Sequence, residues 1–150
     1  MTTLFAPVFC ALYAAHQVAD HWMQTGAQAE DKGLPGWPGR LACLRHATVL
    51  TLTLAAVLAA VALVTGAHVP VPAAAAGLAV NGVSHYWADR RFTLARLAAA
   101  VGKSEFWVLG RPRPGRGDNP SLGTGAYALD QSWHVAWILV SALIIAGWPA

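Results

Sequence analysis

Three histidine–aspartate pairs recur at a spacing of four residues: His16 with Asp20, His85 with Asp89, and, in reverse order, Asp130 with His134. On a helix that spacing stacks both side chains on one face. Each pair sits in a different hydrophobic segment, and a fourth such segment carries His46 near its start. Neutral imidazole nitrogen and carboxylate oxygen together form a donor set suited to zinc or a similar divalent cation. A metal so held lowers the pKa of a water molecule and polarises a scissile group. Four His and three Asp exceed one tetrahedral shell. Either some of them orient the others, each Asp aligning a His ring, or two metals share the site. Gln24 and Gln131 extend the polar stripes and, with Lys32, are expected to stand behind the ligands His16, Asp20, His46, His85, Asp89, Asp130 and His134. The bland alternative is a hydrogen-bonded polar cluster that fixes helix register, or pairs that flank headgroups in water.

The elements that must position these groups are apolar. The chain has 150 residues, enough for one domain, of which 56% are hydrophobic and 11% charged. Soluble domains average about 25% charged residues, so composition points to an all-α integral membrane protein. Four transmembrane helices are expected at about 4–24, 41–65, 73–89 and 126–147, with loops at 25–40 and 90–125. The surest is the second, because Ala47 to Thr65 carries no charge and roughly 20 such residues cross the hydrocarbon core. The third is short and rich in Ala, with Gly77, Asn81 and Gly82. Small residues let helices approach closely in lipid, which places it inside the bundle. Arg90 to Val101 reads as a short amphipathic helix on the interface, Phe92, Leu94, Leu97, Ala98 and Val101 facing the bilayer. The first segment has no Lys or Arg ahead of its apolar run, and His16 and Asp20 interrupt that run, so it is expected to be a retained span. Cys10 and Cys43 lie in apolar segments and form no CxxC, so both are expected as buried thiols.

All ten Lys and Arg fall at or between segments one and two, or three and four. The positive-inside rule then puts both basic loops in the cytoplasm and both termini outside. The same orientation brings all seven His and Asp groups within about two helical turns of the cytoplasmic boundary. A carboxylate at the centre of a membrane helix costs roughly 2.5–3.5 kcal/mol, so the three should face inward, paired or liganded.

Other features are weaker. His21 points about 100° away from Asp20 around a helix and is expected at the interface. His68 is expected to face solvent. Trp22, Trp87 and Trp133 neighbour the polar groups and would shield them. The basic net charge, +3, is explained by topology. No sequence-specific nucleic-acid binding is expected, although Arg111, Arg113 and Arg116 offer contacts to anionic lipid or phosphate. Three motif near-misses fail. Gly102-Lys103-Ser104 lacks the earlier glycine of a P-loop, since Leu97 stands there. Lys103 and Arg111-Pro112 are separated by one residue too many for the lipid-phosphatase signature, whose Ser-Gly-His element is absent. Asn119-Pro120-Ser121 has proline in the middle of a glycosylation acceptor.

The assembled pattern resembles a family of small bacterial membrane proteins defined by a domain of unknown function. Its members show an early stripe like His16-Gln-Val-Ala-Asp20 followed by Gln24-Thr25, and a Lys such as Lys32. A His opens the second span, like His46; a His-x-x-x-Asp closes the third, like His85 and Asp89; an Asp-Gln-x-x-His opens the last, like Asp130, Gln131 and His134. The resemblance covers nearly the whole chain and carries no assigned activity; the basic stretch 111–125 departs from it. The scattered His/Asp pattern is also similar to small membrane proteins classed as metal-dependent hydrolases. The resulting expectation is a bacterial inner-membrane protein with a His/Asp site near the cytoplasmic leaflet, a metal-dependent hydrolase of a membrane-associated ester or phosphoester. Proton or metal-ion transport, and a non-catalytic assembly or mobile-element protein, are the alternatives. No Ser/His/Asp or Cys/His constellation argues for covalent catalysis.

Overall fold

The structure, a computed structural model, describes residues 4–111 and 124–149. Helix dominates, and among the described residues there is no strand. Helix α1 spans Phe5–Val18 and runs directly into a π-helical turn, Ala19–Met23. Helix α2 spans Gly26–Asp31, α3 Gly36–Thr65, α4 Val71–Asp89, α5 Phe92–Ala100, α6 Ser104–Trp107 and α7 Gly125–Ala146. Helices α1, α3, α4 and α7 pack side by side, α1 and α4 each lying against both α3 and α7.

Between them sits an apolar core. Val8, Leu12, Ala15 and Ala19 meet Leu50, Leu54 and Leu58 of α3 and Ile138, Ala142 and Ile145 of α7. The fourth side is filled by small residues. A methyl group on Gly77 would come 2.6 Å from Cγ1 of Ile145 and 2.9 Å from the Ser141 carbonyl. Glycine is therefore what allows α4 to lie directly on α7, as its small-residue composition implies. The outer surfaces stay apolar, with Leu52, Leu63, Val64, Val71 and Val83 all exposed.

Two helices, α3 with 30 residues and α7 with 22, are long and apolar enough to cross a membrane. The expectation of four spans is met by length and apolarity at these two. Helix α4 has 19 residues but is diluted by Gly77, Asn81, Gly82, Ser84 and His85, and α1 proper has only 14.

The boundaries correct the sequence expectation in three places. The loop expected over 25–40 contains α2, closed at its start by a capping box: Thr25 Oγ1 accepts from the Gln28 amide and Gln28 Oε1 from the Thr25 amide. The same stretch holds the start of α3 at Gly36, five residues before the expected Leu41. Pro38 does not prevent this, because it falls in the first turn, where an amide proton has no helical acceptor anyway. Within the expected loop 90–125, the amphipathic helix begins at Phe92, not Arg90, since Arg91 adopts a left-handed φ of 56°. It buries Leu94 and Ala98 but leaves Val101 exposed, and α6 follows it. Cys43 is buried, as expected, whereas Cys10 is exposed.

Candidate metal centre

The seven His and Asp side chains converge from five elements. The end of α1 supplies His16 and the π turn Asp20; α3 supplies His46, α4 His85 and Asp89, and α7 Asp130 and His134. All four imidazoles and Asp89 are at most 2% exposed. The rings pack together: His85 stacks on His134 at 4.1 Å between centroids, and His16 lies tilted to His134 at 4.9 Å and edge-on to His85 at 5.3 Å.

At the centre is a near-equilateral triangle. His46 Nε2 is 2.9 Å from His85 Nε2, and Asp89 Oδ2 is 3.2 Å from each. Asp20 Oδ1 lies 3.1 Å from His46 Nε2. Lys32 Nζ donates to Asp89 Oδ2 at 2.9 Å. With Asp89 ionised against that ammonium, protons on both Nε2 atoms would crowd two N–H groups at 2.9 Å. A bare Nε2 on either ring would instead leave its lone pair 3.2 Å from Asp89 Oδ2. A cation at the centre relieves this crowding, because both Nε2 atoms and the carboxylate oxygens of Asp20 and Asp89 then offer it lone pairs. The separations match coordination edges, which for bonds of about 2.1 Å are about 3.0 Å in an octahedron and about 3.4 Å in a tetrahedron. Two further groups bring their donor atoms within 4.8 Å of one another: His16, His85 and His134, and Asp20, Asp130 and His134. Both nitrogens of His16 and Nε2 of His134 are buried without a hydrogen-bond partner, a costly condition for polar atoms in a protein interior.

The pairing differs from the one the spacing suggests. His85 does face its own Asp89, and Asp130 Oδ2 lies 3.5 Å from its own His134 Nε2. Asp20, however, pairs with His46 of α3, not with His16, and accepts from Gln131 Nε2 at 3.2 Å. The π turn begins at Ala19, between the two residues. It adds a residue to that turn, so the straight i, i+4, i+8 stripe of His16, Asp20 and Gln24 does not persist. Gln24 lies beyond the turn in extended conformation, its Nε2 buried and unpartnered.

Lys32 touches Asp89 directly. It is positioned by Arg90, a buried guanidinium that donates to the carbonyls of Lys32 at 3.0 Å and Leu34 at 2.5 Å. Gly39 makes room for this, because a Cβ there would meet the Leu34 carbonyl and approach Arg90 Nη1 to 3.0 Å. Arg90 was not singled out in the sequence, where it reads as one more positive-inside residue; nothing local marks it as buried. Asn81 is a further buried polar residue on α4. It is 2% exposed with an unpartnered Oδ1, and it stands four residues before His85 and eight before Asp89.

On the side away from the apolar core the carboxylates open into a cavity of about 400 Å³, lined by Asp20, Asp89, Asp130, Gln24, Gln131, Lys32, His21 and Tyr127 among others. His21 is exposed, as an interfacial residue would be, and pairs through Nε2 with the Tyr127 hydroxyl at 3.2 Å. His68 is exposed, as expected. Trp87 and Trp133 stack at 4.8 Å, and Trp133 Nε1 donates to Ser84 Oγ at 2.9 Å, which covers the flank of the cluster between α4 and α7. Of the three arginines expected to contact anionic groups, Arg111 is described, with its guanidinium over Trp107; Arg113 and Arg116 lie outside the described residues. The residues present are thus able to hold a divalent metal ion.

No protein-family model matches the chain, and no curated protein and no solved structure matches it.

Proposed function

We propose that the chain is a multi-pass membrane protein, a bundle of four transmembrane helices, that holds a divalent metal such as zinc near the cytoplasmic leaflet and hydrolyses a membrane-associated ester or phosphoester. Helices α3 and α7 cross the bilayer, and α4 and the continuous α1–π unit cross beside them. Helix α5 lies on the inner surface. The confinement of Lys and Arg to two connections supports this orientation, with both termini outside the bacterial inner membrane. The same reading keeps the domain-of-unknown-function family as the chain's proposed kin.

One observation carries the metal assignment: the triangle of His46 Nε2, His85 Nε2 and Asp89 Oδ2, three potential metal donors from two helices within 3.2 Å of one another. In this reading His46, His85, Asp89 and Asp20 are ligands, and His16 and His134 complete or flank the shell. Gln131 orients Asp20, to which it donates. When bound, the metal would lower the pKa of a water and polarise the ester. The protein's part is to hold and move protons. Asp130, whose side chain is 25% exposed and which faces the cavity, accepts a proton from the attacking water. The water oxygen bonds to the acyl carbon or phosphorus, the ester bond breaks, and the proton passes to the departing alcohol. The apolar core beyond the imidazoles favours a site open to one leaflet over a conduction path.

The test is elemental analysis of the detergent-purified protein, followed by mass spectrometry of lipid products after incubation with bacterial-lipid vesicles. Stoichiometric divalent metal, and turnover lost in Asp130→Asn with the metal retained, are the expected results. Metal-free protein, or metal that His85→Ala does not reduce, overturns the reading.

A further inference from the structure

The cavity above the carboxylates has a second set of walls. Lys32 stands at its floor, its ammonium already on Asp89, and Arg91 and Arg111 line its sides. Arg91 is held in place: its Nη2 donates to the Ala29 carbonyl at 2.6 Å, and its aliphatic stem lies against Gly33. Arg111 is steadied over the Trp107 ring, with 6.0 Å from Cζ to the centroid. Among the described residues, three cations therefore face one small space that also receives three carboxylates, Asp20, Asp89 and Asp130.

The charges of these groups decide what the cavity accepts. With the imidazoles neutral, three carboxylates and three cations cancel. A divalent ion on the carboxylate side leaves the cavity two charges positive, in a space walled by protein, where an uncompensated charge is costly. An anion of two negative charges restores balance. Guanidinium groups match tetrahedral oxyanions through paired N–H donors, and a lysine ammonium adds a point charge. Carboxylate substrates would use the same donors, but a single negative charge leaves one cation of the set without a counter-charge.

We propose that this cavity binds a phosphate monoester group, Lys32, Arg91 and Arg111 gripping its oxygens beside the carboxylates and imidazoles that would hold the metal. The inference rests on the metal reading above and narrows its substrate to the phosphoester class. The phosphate belongs either to a lipid headgroup or to a soluble compound; the apolar surface of the surrounding helices is compatible with the first.

The test uses the full chain in detergent, loaded with zinc, its metal content measured before and after. Calorimetric titrations with inorganic phosphate and with dihexanoyl-phosphatidic acid follow. Both ligands should bind the zinc-loaded protein, and Arg91→Gln with Arg111→Gln should weaken both at least tenfold with zinc content unchanged. Arg111→Gln alone, at an exposed side chain, should weaken them several-fold and guards against misfolding of the double variant. Tenfold tighter binding of the short-chain lipid identifies a headgroup site; equal affinities identify a soluble phosphate. If zinc is retained but neither ligand binds, or both bind the variants as they bind the wild type, the phosphate inference is overturned and the metal reading stands. Failure to retain zinc overturns both.

Discussion

His46 and His85, on helices α3 and α4, turn their Nε2 atoms toward each other at 2.9 Å, with the carboxylate of Asp89 3.2 Å from both. Two ring nitrogens and a carboxylate oxygen at mutual contact distance could hold a cation. His85→Ala removes the shared vertex of two of the three donor groups and should bring bound metal, measured by elemental analysis, below one tenth of the wild-type level. His68→Ala, on an exposed residue outside the cluster, should change nothing. Equal metal in both variants would place the ion elsewhere.

Lys32 and Asp89 form an ion pair at 2.9 Å with side chains 10% and 2% exposed. Removing one partner of a buried pair leaves an uncompensated charge, at a cost of about 3–5 kcal/mol. Lys32→Met should therefore lower the unfolding temperature of the metal-free protein in detergent. Saturating zinc should restore most of the loss, because the metal supplies the missing positive charge. A loss that zinc leaves untouched would mean Asp89 is not a ligand.

Gly77 allows α4 to rest on Ile145 and Ser141 of α7. Gly77→Leu forces the helices apart, and overpacking of this kind costs about 1–3 kcal/mol. The expected signature is a lowered unfolding temperature together with weaker metal retention, because His85 and His134 stack across the same interface. Gly26→Ala, at a position where a side chain would meet nothing within 4 Å, should leave metal retention intact. Undiminished retention in Gly77→Leu would show that the two imidazoles do not depend on this contact.

Orientation is testable at two connections. A thiol-specific, membrane-impermeant reagent should label a cysteine placed at His68 from outside intact cells. A cysteine at Gly102 should react only after the cells are opened. The reverse pattern would move the metal centre to the outer leaflet.

The helical class, the two longest apolar helices and the identity of the clustering residues were all legible in the chain, because each depends on local pattern. Uncharged length marks Ala47 to Thr65, and spacing by four puts His85 and Asp89 on one face. Glycine and proline between 25 and 40 read as breakers, yet α2 and the start of α3 form there, since the Thr25–Gln28 capping box and the first-turn position of Pro38 are context that composition does not weigh. Pairing across helices was decided only by tertiary structure. Asp20 chose His46 over His16 because a π turn shifts its helix by a fraction of a turn against α3. Arg90 is buried because the chain after Lys32 folds back over it and offers two carbonyls. Side-chain type and spacing set which groups share a helix face; which faces meet, and which nitrogen points at which oxygen, follows from the close approach of α3, α4 and α7.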